Sequence, residues 1–367
     1  MIPISKPLIG AEEKAAVMAV MDSGIIASGP VTEAFEKEFA SFVGAKHALA
    51  VANGTAALHA AFLGIGLKPG DEVVTTPFTF VASVNSILFA GGVPKLVDVD
   101  PVTFNLDPDL VAKAIGPRTK AILPVHLYGL AADMDPIREV AEDRGLAVVE
   151  DAAQSHGAVY KGKQVGTLGD AACFSMYPTK NMAMNEGGMV TTDRDDVAEL
   201  VKSIRNHGRG LATLGTYDHV RAGHNFRSND IAAAIGRVQL KRLPGFNRIR
   251  KANAKRHTEA LAGHPDLVAP TEPEGREHVW HQYTVRSRSR DGFVAHMKAN
   301  GAPACTTRRS SPITRTWRPT GPPSRWPTAS SGKWPASRCI QPSRRPTSGR
   351  SRRPCGLGLR SSAATGQ

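Results

Sequence analysis

The strongest constraint on the fold is a regular alternation of short apolar runs with helical stretches over the first half of the chain. Runs typical of strands lie near 48–52, 72–76, 95–99, 120–126, 146–150 and 188–191, and helical patterns occupy 55–64, 108–115 and 135–144. This alternation predicts an α/β fold with a mostly parallel sheet covered by helices on both faces. Because open α/β sheets bind ligands beyond the carboxyl ends of their strands, the residues just after each run are candidates for a site.

Lys180 closes the run from Cys173 and stands just before a Glu-Gly-Gly turn at 186–188. A lysine taken alone is most often a surface residue. The apolar run that ends in Glu150 and Asp151 changes this interpretation, because a buried parallel strand can deliver a carboxylate at its carboxyl end. Asp151 is then placed to pair with the protonated ring nitrogen of a pyridine cofactor, although a role as a helix N-cap also explains an Asp here. Gln154 suits a cofactor contact, a cap or simple packing.

A candidate phosphate site lies where an apolar strand end passes through Asn53-Gly54-Thr55 into an Ala-rich helical stretch. Free amides at a helix start attract phosphate, but the same tripeptide is also a common turn. Phe80 ends a further strand pattern, and its ring could stack on a pyridine or fill the core. An amine, an acid and phosphate donors together meet the needs of pyridoxal 5'-phosphate (PLP), whose aldehyde forms a Schiff base with a lysine.

These segments, in this order, resemble the DegT/StrS-type sugar aminotransferases, which are PLP enzymes with the aspartate aminotransferase fold (fold type I). The resemblance extends from residue 2 to about residue 303. Its segments are Ile2–Pro7, Ser28–Pro30, Asn53–Thr55, Thr76–Phe80, Val97–Asp100, Pro124–Gly129, Glu150–Gln154, Cys173–Lys180, Arg205–Gly208 and Asn225–Arg227.

The resemblance implies that Lys180 forms the Schiff base, Asp151 pairs with the pyridinium nitrogen and Phe80 stacks on the ring. It places Gln154 near the ring hydroxyl. The residues it assigns to the phosphate are Gly54, Thr55 and Ser175. A related branch of the family catalyses dehydration and carries His at the lysine position, so Lys180 favours amino transfer.

Asn225 and Arg227 reach the phosphate side of the neighbouring subunit's cofactor in this family, which implies a homodimer with shared active sites. The expected reaction moves an amino group from an amino acid, by expectation L-glutamate, to a keto group on a nucleotide-linked deoxyhexose, with ping-pong kinetics. Two alternatives stay open. One is an aminotransferase acting on a keto-cyclitol, and the other is a non-catalytic PLP-fold regulator that binds nucleic acid.

The chain is expected to comprise a large PLP-binding domain (1–244), the start of a small C-terminal domain (245–303) and an aberrant basic tail (304–367). The tail contains 13 Lys or Arg and no Asp or Glu, so it accounts for the whole formal charge of +13. A basic arm could bind nucleic acid, but such arms rarely contain scattered Trp and Cys. A disordered linker is a second interpretation.

The third interpretation of the tail is a family C-terminus translated in the wrong frame. In one shifted frame, Cys305 to Arg308 can encode His-Tyr-Pro, and Ser330 to Arg350 can encode a helix, a strand and a capped final helix. We favour this interpretation, under which the small domain is incomplete. The chain as printed then loses the packing of the small domain against the large one. Because the net stability of a folded protein is only about 5–15 kcal/mol, its catalytic activity is expected to be weak or absent.

The remaining sequence features narrow the location of the protein. No signal peptide is expected at the start of the sequence, and no apolar run approaches the roughly 20 residues that cross a membrane. Cys173 is the only cysteine before residue 304, so no disulfide framework is expected and a cytoplasmic location is predicted. His and Asp residues lack metal-ligand spacing, so no metal site is predicted.

Overall fold

The computed structural model describes residues 5–210 and 218–302. Within these ranges the helices are α1 (Ala11–Ser23), α2 (Pro30–Val43), α3 (Gly54–Gly64), α4 (Ala82–Phe89), α5 (Pro108–Ala114), α6 (Met134–Arg144), α7 (Asp195–Ile204), α8 (Asp230–Ala260) and α9 (Arg290–Ala299). The strands are β1 (His47–Val51), β2 (Glu72–Thr75), β3 (Val93–Leu96), β4 (Thr119–Ile122), β5 (Ala147–Asp151), β6 (Val159–Tyr160), β7 (Lys163–Gln164), β8 (Ala171–Ser175), β9 (Gly188–Thr192), β10 (Leu267–Val268), β11 (Arg276–Glu277) and β12 (Arg286–Ser287).

Seven of these strands form the central sheet, in the order β1-β9-β8-β5-β4-β2-β3. The pairs from β8 to β3 are parallel. Strand β9 is antiparallel to both of its neighbours, β1 and β8. Because β5 and β8 run in parallel and pair side by side, Asp151 lies opposite Cys173 at the carboxyl end of the sheet.

Successive residues of each strand contribute to different layers of the core, as the twofold period of a strand requires. Leu49 and Cys173 pack with α3 and α7 on one face of the sheet. Ala50 and Phe174 pack with α2, α6 and α8 on the other face. The sheet is therefore buried on both sides, which leaves its carboxyl edge as the place where polar side chains can gather.

Asp230, the first residue of α8, joins that helix to the start of α2. Its buried carboxylate accepts hydrogen bonds from the backbone N–H groups of Gly29, Val31 and Thr32 and from the Thr32 hydroxyl. These amides belong to the first turn of α2, where a negative charge is favoured. The carboxylate thus caps α2 from a distant part of the chain and fixes the loop that precedes it.

The predicted α/β alternation agrees closely with the elements observed. Strand β8 lies outside the runs that the sequence pattern predicts as strands. The expected domain boundary at 244/245 falls inside α8, which contains Pro244. The tail 304–367 lies outside the described residues. No described helix has both the length and the hydropathy needed to cross a bilayer.

Candidate active site

Asp151 ends β5 and is almost fully buried. The Ser83 hydroxyl donates to its Oδ2 at 2.6 Å, and the backbone N–H of Ala153 donates to its Oδ1 at 3.2 Å. Turns rather than a helix follow at 152–158, so the carboxylate is not a helix N-cap. Each oxygen is held by one donor and keeps a further lone pair, which suits a carboxylate that must receive a ligand N–H.

Lys180 lies half-buried in the loop after β8, and its backbone N–H donates to the carbonyl of Tyr177. Burial lowers the pKa of its amine, and the negative charge of Asp151 partly offsets this effect. Two imidazoles, the buried His156 and the half-buried His281, interact with it electrostatically. Burial, followed by the charge of Lys180, lowers the pKa of His156 to about 3 and that of His281 well below its usual value. Both imidazoles are therefore neutral and add no positive charge beside Lys180.

The candidate phosphate residues meet where three elements converge. Asn53 caps α3 by accepting from the N–H of Ala56 at 2.9 Å, so the amides of Gly54 and Thr55 belong to the open first turn. A Cβ on Gly54 would lie 2.6 Å from the Cβ of Ser175, at the end of β8. A Cβ on Gly188, at the start of β9, would lie 2.3 Å from the carbonyl oxygen of Asn53. These close approaches require glycine and form a cradle of backbone amides and hydroxyls that suits an anion.

Gln154 is oriented by the 3-10 turn that contains Tyr128. The Tyr128 backbone N–H donates to the Gln154 Oε1 at 2.7 Å. Because this bond identifies the oxygen, the amide nitrogen of Gln154 is the branch that can donate to a ligand. Gln154 follows Asp151 by three residues in the same turn, so both side chains stand at the carboxyl end of β5.

Phe80 has 70% of its surface exposed and lies in the turn that precedes α4. It is not core filler, which leaves its ring available to a flat ligand. Its neighbour in sequence, Thr79, is joined to Asp151 through Ser83, so the turn that carries Phe80 is anchored at the same edge of the sheet.

Asn225 and Arg227 lie on the extended segment before α8. Arg227 forms an isolated antiparallel bridge with Val51, and Asn225 forms one with Asn206. The Nη1 of Arg227 donates to the Oδ1 of Asn206 at 2.8 Å. These two residues therefore lie beside the end of β1 within one chain. Their expected contact with the cofactor of a partner subunit stays a prediction.

Two groups of site residues were not anticipated from the sequence. The first is the pair of hydroxyls on Thr79 and Ser83, which lie four residues apart across the start of α4. The second is Asn181, whose amide donates to Asn247 and to the carbonyl of Val279. No local sequence pattern predicts this second group, because Asn181, Asn247 and Val279 come from distant parts of the chain.

A separate buried network lies behind the site at Glu150, on the opposite face of β5 from Asp151. Its carboxylate accepts from the backbone N–H groups of residues 166, 168 and 169 at 2.8–3.0 Å and from the Nε2 of His126 at 2.9 Å. The N–H of Ala132 donates to the Nδ1 of His126, so that nitrogen is unprotonated and the ring is neutral. Glu150 is thus a buried carboxylate satisfied by four donors, and it locks the loop beyond β7 against β5.

Comparison with known proteins adds the family. The model of the DegT/DnrJ/EryC1/StrS aminotransferase family matches residues 7–316. GDP-perosamine synthase of Caulobacter vibrioides is 43% identical over 310 residues, which are 82% of this chain and 82% of that protein. The dTDP-3-amino-3,4,6-trideoxy-alpha-D-glucose transaminase of Streptomyces venezuelae is 41% identical over 297 residues, which are 81% of this chain and 77% of that protein.

The solved structures agree with this result. The crystal structure of S. venezuelae DesV, in complex with a ketimine intermediate, superposes with a TM-score of 0.77 at 42% identity and covers 80% of this chain and 78% of that one. The predicted fold class and the predicted family are therefore confirmed. The chain belongs to the DegT/DnrJ/EryC1/StrS aminotransferase family and is an aminotransferase.

Proposed function

We propose that the chain is a PLP-dependent aminotransferase of nucleotide-linked deoxysugars. The observation that carries the proposal is the meeting of an amine of lowered pKa, a buried carboxylate and an anion cradle at one edge of the sheet. This donor set fits PLP, which needs a lysine, an acid for its ring nitrogen and amides or hydroxyls for its phosphate. The names of the relatives support the substrate class.

Each residue then has a defined task. Lys180 would hold PLP, Asp151 would keep the ring nitrogen protonated, Gln154 would donate to the ring hydroxyl and Phe80 would cover one face of the ring. The phosphate would lie on Gly54, Thr55 and Ser175. When bound, PLP supplies an electron sink for removal of a proton from the alpha carbon of an amino acid.

Lys180 is also the group that would move protons. Its burial favours the neutral amine, which can take a proton at Nζ and return it. Asp151 remains in place during this transfer because Ser83 and Ala153 hold its two oxygens. The neutral imidazoles of His156 and His281 add no positive charge beside Nζ, so they do not oppose its protonation during the reaction.

The donor and the acceptor are proposed from different grounds. L-Glutamate is proposed as the amino donor on the basis of the family resemblance. A keto-deoxyhexose linked to GDP or dTDP is proposed as the acceptor, because two relatives are named for amino sugars on these nucleotides. A homodimer in which Asn225 and Arg227 serve the partner's phosphate site completes the proposal.

The first experiment reads cofactor binding, because weak turnover is expected of the chain as printed. The purified full-length chain is incubated with PLP, reduced with borohydride and digested. We expect the label on Lys180, its loss in Lys180→Ala, and full labelling in the control Lys161→Ala, which alters an exposed lysine paired with Asp135. In a separate sample that has not been reduced, added L-glutamate should remove the absorbance of PLP bound to Lys180. A label elsewhere, or none, would contradict the proposed cofactor site, and bound PLP that another amino acid converts but glutamate leaves unchanged would contradict the donor.

A further inference from the structure

Ser83 and Thr79 form a chain of hydroxyls that ends on Asp151. The Ser83 Oγ lies 2.6 Å from Asp151 Oδ2 and 2.8 Å from the Thr79 Oγ1. A serine hydroxyl has one proton, and a carboxylate can only accept, so Ser83 donates to Asp151 and accepts from Thr79. Both hydrogen bonds therefore point toward the carboxylate.

This arrangement has a direct electrostatic consequence. A hydrogen bond donated to a carboxylate stabilises its charged form, and a second bond donated to the first donor strengthens it by polarisation. Ser83 is fully buried, so water does not replace its hydroxyl if it is lost. This chain of hydroxyls starts at Thr79, one residue before Phe80, and ends on Asp151. It therefore sets the position of Asp151 relative to the turn that carries the Phe80 ring.

We propose that Ser83 and Thr79 are positioning residues that hold the Asp151 carboxylate in the orientation in which it can pair with the ring nitrogen of PLP. The proposal rests on the proposed function, because it gives Asp151 a pyridinium partner. Neither residue needs to touch the cofactor. Their effect passes through the Asp151 carboxylate, and this distinguishes the proposal from a general role of α4 in stability.

The chain provides a matched control in Ser86. It lies on the same helix and is fully buried, and its hydroxyl donates to the Ser83 carbonyl at 3.0 Å rather than to Asp151. Ser83→Ala and Ser86→Ala therefore remove the same atom from the same helix, but only the first removes a donor from Asp151.

The experiment titrates PLP into the PLP-free full-length variants and measures the dissociation constant. Ser83→Ala should weaken PLP binding about tenfold or more, as expected for a lost hydrogen bond to a charged group. Ser86→Ala should change it by less than about threefold. Thr79→Val, at a half-buried position, should give a smaller loss than Ser83→Ala, and Thr79→Ser should restore binding. These two variants keep the test valid if Ser83→Ala folds poorly.

A double-mutant cycle with Asp151→Asn separates positioning from stability. If Ser83 acts through the carboxylate charge, Ser83→Ala should cost much less in the Asp151→Asn background than in the wild type. An equal cost in both backgrounds overturns the inference, as does a Ser83→Ala variant that binds PLP like Ser86→Ala. Failure of the wild type to bind PLP overturns both this inference and the proposed function, whereas normal wild-type binding with an inert Ser83→Ala overturns only the inference.

Discussion

At the residue scale, the chemistry of the site depends on the small number of charges around Lys180. Burial favours its neutral form, Asp151 favours its charged form, and the neighbouring His156 and His281 are neutral. Lys161 provides the opposite case, because its hydrogen bond to Asp135 raises the pKa of an exposed amine. One chain therefore contains two lysines whose pKa values are shifted in opposite directions, downward by burial at Lys180 and upward by a hydrogen bond at Lys161.

We expect Lys180 of the PLP-free protein to become reactive at lower pH than Lys161. The midpoint for Lys180 should lie below the ordinary lysine value of about 10.4, and the midpoint for Lys161 above it. Asp151→Asn should move the Lys180 midpoint further down, because it removes the charge that raises this pKa. Reductive methylation across a pH series, read by peptide mass spectrometry, measures both midpoints. A Lys180 midpoint that rises in Asp151→Asn would contradict this account of the site.

Single residues were predictable from the sequence where a local pattern accompanies them. Lys180, Asp151 and Gly54 each stand beside a strand end, and the structure places all three at one edge of the sheet. Ser83 was not predictable, because its importance depends on a partner 68 residues away. Its hydroxyl looks like any other in a helix until the sheet order brings α4 beside the end of β5.

At the element scale, β5 delivers two carboxylates of different use from adjacent positions. Asp151 faces the site, whereas Glu150 faces a wall of backbone N–H groups and the neutral His126. The twofold period of the strand separates the two roles. An acidic pair at a strand end can thus combine a functional acid with a structural one.

We expect Glu150→Gln to destabilise the protein by about 2–4 kcal/mol, because an amide NH2 would then face N–H donors. The control is Glu142→Gln, at an exposed residue 3.7 Å from Arg138, which should change stability by less than about 0.5 kcal/mol. Urea unfolding midpoints with the associated slopes measure both free energies. Equal midpoints for the two variants would show that the buried network contributes little.

The strands and helices were predictable from periodicity, but their arrangement was only partly so. The sequence predicts β2, β4 and β5 within a few residues and identifies the sheet as mostly parallel. The antiparallel insertion of β9 between β1 and β8 has no local signal. It results from long-range pairing, in which residues 47–51 meet residues 188–192 across most of the large domain.

At the scale of the whole molecule, the proposed site depends on a second copy of the chain. Arg227 and Asn225 lie on a segment beside the end of β1 and are proposed to serve the partner's phosphate site. Under this proposal, each site takes Lys180 from one subunit and Arg227 from the other. A variant of each residue can therefore be paired in a mixed dimer.

We expect mixed dimers of Lys180→Ala and Arg227→Ala to regain one intact site from two damaged chains. One subunit supplies Lys180 and the other supplies Arg227, so borohydride should trap PLP at limiting cofactor on about half of the subunits of each mixed dimer. Separate samples of either variant should trap little under the same conditions. Absence of this gain after subunit exchange would mean that both residues act within one chain.

The bond between Asp230 and the start of α2 also has a consequence for synthesis of the chain. Gly29 and Asp230 are 201 residues apart, so at about 5–20 residues per second the ribosome needs about 10–40 s to make the second after the first. Throughout that time the first turn of α2 lacks its cap, and Phe35 and Phe39 lack the face of α8 against which they pack in the finished core. The start of α2 can therefore complete its docking only after α8 has been made.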